Sequence, residues 1–121
     1  MRDFKKLQVW KRAHELVIEV YEATRALPRD EQFGLTRQFR QAAASVPANI
    51  AEGCGRGTQR EFAQYLQISI GSANELEYHL LLARDLKFLS EEIHLPLERE
   101  VFGVRRMLSG LLGQVRKAGS R

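Results

Sequence analysis

Hydrophobic residues recur every three or four positions along most of this chain, in four successive stretches. This spacing places apolar side chains on one face of an α-helix, and the alternation typical of strands is nearly absent. The pattern predicts helices over residues of about 5–27, 31–54, 58–89 and 94–117. Because the links between them are short, we expect an all-α, antiparallel up-down four-helix bundle that forms a single domain over residues 1–121.

Each predicted helix has a face that should be buried. The first face comprises Trp10, Ala13, Val17, Val20, Thr24 and Leu27, and the second comprises Leu35, Phe39, Val46 and Ile50. The third comprises Phe62, Leu66, Ser69, Ala73, Leu76, Leu80 and Ala83. The fourth comprises Leu97, Val101, Val104, Leu108, Leu111 and Val115.

Local signals predict where the helices begin and end. Leu27-Pro28 ends the first helix, because the residue before a proline disfavours helical dihedrals. Asp30 is expected to cap the second helix. Thr58 and Glu61 have the spacing of a capping box at the start of the third. Pro96 is expected in the first turn of the fourth.

The second helix contains Pro47, which lacks an N–H and clashes with the preceding turn. We expect either one helix kinked at this proline or two helices that abut there. Gly53, Gly55 and Gly57 then end the helical pattern in a glycine-rich corner. These glycines are free to take positive φ values, which side chains with a Cβ rarely adopt.

Apolar residues also lie outside the predicted core faces of the third and fourth helices. They are Ile68, Ile70, Leu81, Leu82, Phe102, Met107 and Leu112. A surface helix normally has one apolar stripe, so a second stripe predicts a second buried face, which a closed homo-oligomer would supply. The alternative is a wide core stripe with a few scattered exposed side chains. The additional apolar residues cluster on the third and fourth helices, and this clustering favours the oligomer.

The composition limits the cellular setting. A single cysteine excludes an internal disulfide and fits a reducing compartment. The first residues are amphipathic rather than continuously apolar, as a signal segment would be, and no apolar run has the length of a membrane span. We therefore expect a cytoplasmic protein.

The distribution of positive charge is more informative than the net charge of +4. Basic residues gather at the ends of the predicted helices, and in an oligomer each basic patch would be repeated. This favours sequence-independent binding to phosphates of RNA or DNA, although charge runs are usually only solvated faces. The predicted nucleic-acid-binding residues are Lys11, Arg12, Arg37, Arg40, Arg56, Arg60, Arg105, Arg106, Arg116 and Lys117.

The segment Gly53–Thr58 suggests an anion site in particular. It lacks the lysine and the preceding strand of a P-loop. However, it leads into a predicted helix start, where free N–H groups favour an anion, and Arg56 and Arg60 lie nearby. A helix-ending corner with solvated arginines explains the same residues.

Four polar residues are predicted to form a structural layer near Pro47. They are Asn49, Glu52, Ser72 and Glu75. Buried polar groups need hydrogen-bond partners, so the side chains of neighbouring helices would satisfy one another and fix helix register or subunit orientation. No histidine, cysteine or metal ligand joins this group at a recognisable spacing, so catalysis is disfavoured.

The remaining reactive side chains do not form a recognisable site. His14, His79 and His94 are distributed over three segments, and we interpret them as ordinary surface or interface residues. Cys54 lies among glycines without a paired base, which indicates a small packing residue. We therefore predict no metal, no cofactor and no enzymatic activity.

The chain also resembles a known family, the four-helix-bundle proteins first found encoded in intervening sequences of 23S ribosomal RNA genes. The resemblance covers nearly the whole chain, and its most specific part is the run from Ser45 to Gly53. The other matching residues are Leu7-Gln8-Val9-Trp10, Ala13, Leu27-Pro28, Phe33-Gly34-Leu35, Gln38, Ala42-Ala43, Arg56, Phe62, Gly71-Ser72 and Glu75-Leu76. Family members often carry a basic residue where Gln41 stands.

The resemblance implies a bundle that assembles as a homopentamer. A relative of this family, the accessory variability protein of diversity-generating retroelements, is a basic scaffold that binds nucleic acid and associates with a reverse transcriptase. The resemblance therefore implies self-association, RNA or DNA, and a reverse transcriptase as partners. The alternative interpretation is a protein–protein interaction or structural bundle with incidental basic charge.

Overall fold

The computed structural model describes residues 2–119, and every regular element in that range is helical. The four long helices are α1 Gln8–Thr24, α2 Leu35–Cys54, α3 Gln59–Asp85 and α4 Glu91–Gly119. Two short 3-10 turns precede α1 and α2, at Phe4–Lys6 and Arg29–Glu31. The predicted all-α class and the four helices are confirmed for the described residues.

The first two helices start later than predicted. The Asp3 carboxylate accepts a hydrogen bond from the Lys5 N–H at 3.1 Å and caps the first 3-10 turn. Leu7 is then extended, so α1 begins only after it. The prediction that Asp30 caps α2 is wrong, because Asp30 lies within the second 3-10 turn and Gly34 occupies the cap position of α2.

The third helix ends earlier than predicted, at Asp85 rather than near residue 89. The cause is Lys87, whose φ of 64° is left-handed. The Phe88 N–H then donates to the Ala83 carbonyl at 2.9 Å, and this bond satisfies one of the carbonyls left free at the helix end.

The fourth helix is longer than predicted at both ends. It begins at Glu91, so Pro96 lies in its second turn rather than its first. It continues past the predicted end at residue 117 to Gly119. Met1, Ser120 and Arg121, which the predicted domain includes, lie outside the described residues.

The second helix runs through Pro47 as one element rather than as two abutting helices. Pro47 is buried, and the neighbouring Val46 carbonyl accepts a buried hydrogen bond from Ser69 Oγ at 2.8 Å. This bond joins α3 to α2 beside the proline. The kink expected at Pro47 stays a prediction.

The buried side chains of all four helices form one hydrophobic cluster. The predicted core face of α3 is confirmed, because all of its members are buried. In α4 the predicted face is also buried except Leu111, which is half-buried. Leu112, which the sequence assigns to the second stripe, belongs to the core.

The core face of α1 is rotated from the predicted one. Its buried side chains are Val9, Ala13, Leu16, Val20, Ala23 and Thr24, and the prediction included only three of these. Trp10 is half-buried on the outer side, where it lies edge-on to Phe4 at a centroid distance of 4.9 Å and stacks on His14 at 5.0 Å. The largest apolar side chain of α1 therefore does not mark the centre of its buried face.

The helices close around this core. α2 contacts α1 and α3, and α4 contacts α3 and α1. Outside the core, Ile68, Leu81 and Phe102 remain exposed, whereas other members of the predicted second stripe are at least half-buried. Within the described residues, no helix has both the length and the hydropathy needed to cross a membrane.

Glu19 on α1 provides a test of charge repulsion between α1 and α4. Partial burial, followed by repulsion from Glu100 and Glu15, raises the pKa of Glu19 above its ordinary value. An acid with a raised pKa in the fold contributes stability at low pH that is lost as pH rises through that value. We therefore expect Glu19→Gln to raise the melting temperature at pH 7 by roughly 1–3 °C, because the site is well solvated.

The gain should disappear below the ordinary pKa of glutamate, where both states of the wild-type residue are protonated. Thermal melts followed by circular dichroism at several pH values would measure it. Glu22→Gln is a matched control, because Glu22 instead pairs with Arg25 at 3.4 Å. A Glu19→Gln gain that was as large at pH 4 as at pH 7 would contradict this explanation.

Candidate nucleic-acid interface

The N-terminal segment is fixed against the corner between α2 and α3. The Arg2 N–H donates to the Cys54 carbonyl at 3.1 Å, and Arg2 Nη2 donates to Gln59 Oε1 at 2.9 Å. The guanidinium lies 4.3 Å from the centroid of the buried Phe62 ring, a cation–π distance. These contacts bring the first basic residues of the chain to the start of α3.

The predicted cap by Thr58 at this start is confirmed, whereas Glu61 bonds the Thr58 hydroxyl rather than the Thr58 N–H of a full capping box. Thr58 Oγ1 accepts a hydrogen bond from the Glu61 N–H at 3.1 Å, and the Glu61 side chain contacts the same hydroxyl at 3.2 Å. Arg56, in the preceding turn, donates to Glu52 Oε1 and to the Tyr65 hydroxyl, both at 2.6 Å. The guanidinium of Arg56 is therefore held in place, and part of its charge is compensated by Glu52.

A groove of about 440 Å³ lies between the start of α3 and the end of α4. We call it the α3–α4 groove, and it is lined by Gln59, Arg60, Ala63, Gln64, Gln67, Val115, Arg116 and Gly119. No carboxylate is among these lining residues. Arg116 Nη2 donates to Gln67 Oε1 at 2.7 Å, whereas Arg60 makes no hydrogen bond or ion pair with any residue from 2 to 119. The groove thus presents two guanidinium groups together with glutamine amides.

Positive charge is concentrated at this end of the molecule. We call it the basic end, and its cationic residues are Arg2, Lys5, Lys6, Arg56, Arg60, Arg116 and Lys117. These residues lie in segments 2–6, 52–61 and 116–119, whose only acids are Asp3, Glu52 and Glu61. The net charge of the basic end is therefore +4, which equals that of the whole chain.

The opposite end has the opposite balance. The segments 22–33 and 84–95 contain the links from α1 to α2 and from α3 to α4. They carry six acids and four bases: Glu22, Asp30, Glu31, Asp85, Glu91 and Glu92 against Arg25, Arg29, Arg84 and Lys87. Contact between the Phe39 and His79 rings, 6.1 Å apart, places the start of α2 beside the second half of α3. The links at the two ends therefore differ in the sign of their net charge, and Arg37 and Arg40 of α2 lie next to the acidic links.

The structure brings only part of the predicted basic set together. Arg56, Arg60, Arg116 and Lys117 lie at the basic end, and the first three surround the corner and the α3–α4 groove. Arg37 and Arg40 line a second groove near the other end of α2. The remaining predicted residues lie on α1 and α4: Lys11, Arg12, Arg105 and Arg106.

Several of these arginines are engaged by side chains within the fold. Arg12 Nε pairs with Glu100 Oε2 at 3.2 Å, and Arg105 Nη1 pairs with Glu77 Oε1 at 2.6 Å. Arg106 lies 5.9 Å from the centroid of the Phe102 ring. Compensation by nearby carboxylates makes Arg12 and Arg105 weaker candidates for phosphate binding than Arg60 and Arg116.

The predicted polar layer forms only in part. Ser45 and Ser72 hydroxyls are 2.7 Å apart, and Asn49 Nδ2 donates to the Ser45 hydroxyl at 2.9 Å, so this network links α2 to α3. Glu52 and Glu75 are exposed and do not join it: Glu52 pairs with Arg56, and Glu75 lies 3.3 Å from His79 Nε2. Ser45 replaces the two carboxylates as the centre of the layer.

The other reactive side chains are mostly buried. His79 and His94 lie in the core rather than at the surface, and only His14 is exposed. Burial raises the pKa of the Cys54 thiol, which disfavours the thiolate. Across residues 2–119, no three histidine, cysteine or acidic side chains are grouped to hold a metal ion.

Sequence reasoning missed the glutamines of the α3–α4 groove and the role of Arg2. A usable signal was present, because Arg60, Gln64 and Gln67 follow one another at helical spacing on one face of α3. The position of Arg2 depends on tertiary contacts with Gln59 and Phe62, and the sequence has no local signal for these.

Comparisons with known proteins agree with this architecture. A family model described as 23S rRNA-intervening sequence protein matches residues 5–110. Among solved structures, the chain is similar to a protein of unknown function from the S23 ribosomal protein family of Bacteroides thetaiotaomicron. The identity is 20%, the match covers 86% of this chain and 97% of that one, and the TM-score is 0.78, so this likeness concerns the fold. Comparison with curated proteins gives no match.

Proposed function

This chain belongs to the 23S rRNA-intervening sequence protein family, and from that premise we propose that it is a non-enzymatic basic scaffold that binds RNA or DNA through phosphates without sequence specificity. The observation that carries the proposal is the α3–α4 groove, in which Arg60 and Arg116 converge without a lining carboxylate. The surrounding basic end holds a net positive charge as large as that of the whole chain.

The chemistry of the groove suits a phosphate backbone. A guanidinium is planar, and two of its N–H groups can donate to two oxygens of one phosphate. The N–H groups of Arg60 are available for this, because they make no hydrogen bond with residues 2–119. The adjacent start of α3 adds the partial positive charge of a helix N-terminus. Glutamine amides can donate to phosphate or sugar oxygens, contacts that position a nucleic acid without reading its bases.

We also propose that the scaffold is a homo-oligomer, with the pentamer implied by the family resemblance as its expected form. The exposed apolar residues Ile68, Leu81 and Phe102 support a further buried surface. The Ser45–Ser72 contact joins the middles of α2 and α3, and the Arg56–Tyr65 contact joins the corner after α2 to the first half of α3. Both contacts support the antiparallel up-down order of the bundle. The kink at Pro47 belongs to the same proposal.

A protein partner would use the remaining surface, and the resemblance names a reverse transcriptase for this role. Binding of nucleic acid can be tested without that partner. We therefore base the experiment on the isolated protein and short labelled duplexes.

Fluorescence anisotropy of labelled RNA and DNA duplexes, measured across a salt series, tests the proposed function. We expect binding at 50 mM salt that weakens linearly on a log–log plot, with a slope of about −2 or steeper, because each neutralised phosphate contributes about −0.9. Duplexes of unrelated sequence should give the same slope and similar affinities.

Two outcomes would contradict the proposal. One is the absence of binding at low salt, and the other is an affinity that does not change with salt. Either result would make the basic charge incidental and favour the alternative function, a protein–protein interaction or structural bundle that uses the exposed apolar residues.

A further inference from the structure

A second groove, of about 420 Å³, lies where the end of α1 meets the start of α2. We call it the α1–α2 groove, and its important residues are Tyr21, Phe33, Arg37 and Arg40. It combines two aromatic rings with two guanidinium groups. The proposed function makes no use of this combination, because phosphate binding alone needs no aromatic side chain.

Phe33 is the unusual member of the groove. Its side chain is 81% exposed, although it is a large apolar residue in the short turn that precedes α2. The Gly34 N–H donates to the Glu31 carbonyl at 3.0 Å, so the backbone on which Phe33 stands is ordered by its own hydrogen bond. A ring that projects into water from an ordered backbone is available to stack on a planar ligand.

Arg40 is held beside Tyr21 in a fixed geometry. Its Nε donates to Thr24 Oγ1 at 2.9 Å, and its Nη2 donates to the Tyr21 carbonyl at 3.4 Å. The guanidinium lies 4.7 Å from the centroid of the Tyr21 ring. Arg37, one turn earlier on α2, is exposed and makes no hydrogen bond or ion pair with residues 2–119.

The charge of the groove points to an anionic occupant. Asp30 and Glu31 precede Phe33 in sequence, but neither lines the groove. The exposed Phe102 provides the contrast, because its groove is lined by Glu77 and Glu98 as well as Arg99. An exposed phenylalanine beside arginines thus occurs twice on this surface, once with carboxylates and once without them.

We propose that the α1–α2 groove binds unpaired nucleotides of a single-stranded RNA or DNA segment. A base stacks on the exposed ring of Phe33, and Arg37 and Arg40 contact the flanking phosphates. Single-stranded nucleic acid supplies both the planar faces and the negative charge that this surface matches, and such stacking does not depend on base identity. This inference rests on the proposed function and adds a preference for unpaired strands at a separate site.

Anisotropy measurements with a labelled single strand and a duplex of equal length test the proposal. Phe33→Leu keeps the residue apolar but removes the aromatic face. We expect at least a five-fold loss of affinity for the single strand, since stacking on an aromatic side chain is worth about 1–3 kcal/mol per base. Affinity for the duplex should remain unchanged. Arg37→Gln should weaken single-strand binding and lower its salt slope by about 1.

Tyr78→Leu is the matched control, because Tyr78 is an aromatic residue of α3 that is 57% exposed and lines neither groove. It should leave single-strand affinity unchanged. Equal single-strand affinity in wild type and Phe33→Leu would overturn the inference and leave the proposed function intact if duplexes still bind. Loss of the oligomer in Phe33→Leu, with single-strand affinity retained, would overturn it in favour of contact with a second copy of the chain. Failure of both nucleic acids to bind at low salt would overturn both proposals.

Discussion

Replacement of Arg60 and Arg116 together by glutamine is expected to lower the affinity for duplex RNA and DNA roughly 60-fold at 0.1 M salt. The size of the loss follows from counterion release. Each lost phosphate contact removes about 0.9 from the slope of log affinity against log salt concentration, and its contribution to the affinity falls to zero near 1 M salt. Two contacts are therefore worth about 1.8 log units at 0.1 M salt. Duplexes of unrelated sequence should lose affinity equally, because phosphate contacts carry no sequence information.

The double variant should fold as the wild type does. Arg60 makes no hydrogen bond or ion pair within residues 2–119, and Arg116 makes a single exposed bond to Gln67. Arg25→Gln with Arg84→Gln is the matched control, because it removes the same charge from the opposite end of the molecule. A similar loss of affinity in the two double variants would show that net charge matters and that the α3–α4 groove does not.

Addition of one methyl group at Gly53 is expected to destabilise the fold by about 1–3 kcal/mol, the usual penalty for overpacking a core. A Cβ at this position would lie 2.8 Å from Tyr65 Cβ and 2.9 Å from Phe62 Cδ1. The Tyr65 contact is with an atom fixed to the backbone of α3, so relief requires α2 and α3 to move apart. Urea unfolding of Gly53→Ala, monitored by circular dichroism, would measure the loss.

Gly71→Ala is the control for replacing a helical glycine by alanine where no neighbouring helix is close. Gly71 lies within α3, and an added Cβ would meet nothing within 4 Å. The substitution should therefore stabilise the protein by about 0.5–1 kcal/mol, because alanine is the better helix former. If the two alanine variants were equally stable, close approach of α2 and α3 at Gly53 could not be the reason for that glycine.

This glycine shows where sequence interpretation failed. The cluster of Gly53, Gly55 and Gly57 suggests positive φ values, yet no described glycine has one. Gly53 is required instead because it lacks a Cβ where two helices touch, a condition set by residues far along the chain. The residue that does take a left-handed conformation is Lys87, and because it is not a glycine the sequence does not mark this position.

Local patterns predicted a core face well where its residues keep a strict helical spacing. The core face of α3 was predicted completely, because its buried residues recur at alternating steps of four and three, although other apolar residues lie off that face. On α1 the apolar face is wide, so more than one rotation of the helix fits the pattern. Packing of α1 against α2 and α4 decides between them, and it buries Val9, Leu16 and Ala23.

The candidate site was predictable as a set of charges but not as a surface. The helix cap by Thr58 is local, and the structure confirms it. By contrast, the carboxylates that pair with Arg12 and Arg105 lie on other helices, so the sequence could not separate compensated arginines from available ones. The distinction between Arg60 and those two residues is a result of helix packing.

The unequal charge of the two ends has a consequence for any ring built from this chain. In a ring with cyclic symmetry and helices parallel to its axis, every basic end lies on one face and every acidic end on the other. Such a disc has a front and a back: the α3–α4 groove that we propose for duplexes lies on the front, and the α1–α2 groove that we propose for unpaired nucleotides lies towards the back. At low ionic strength the front of one disc attracts the back of another, so free discs would stack into columns that added salt disperses.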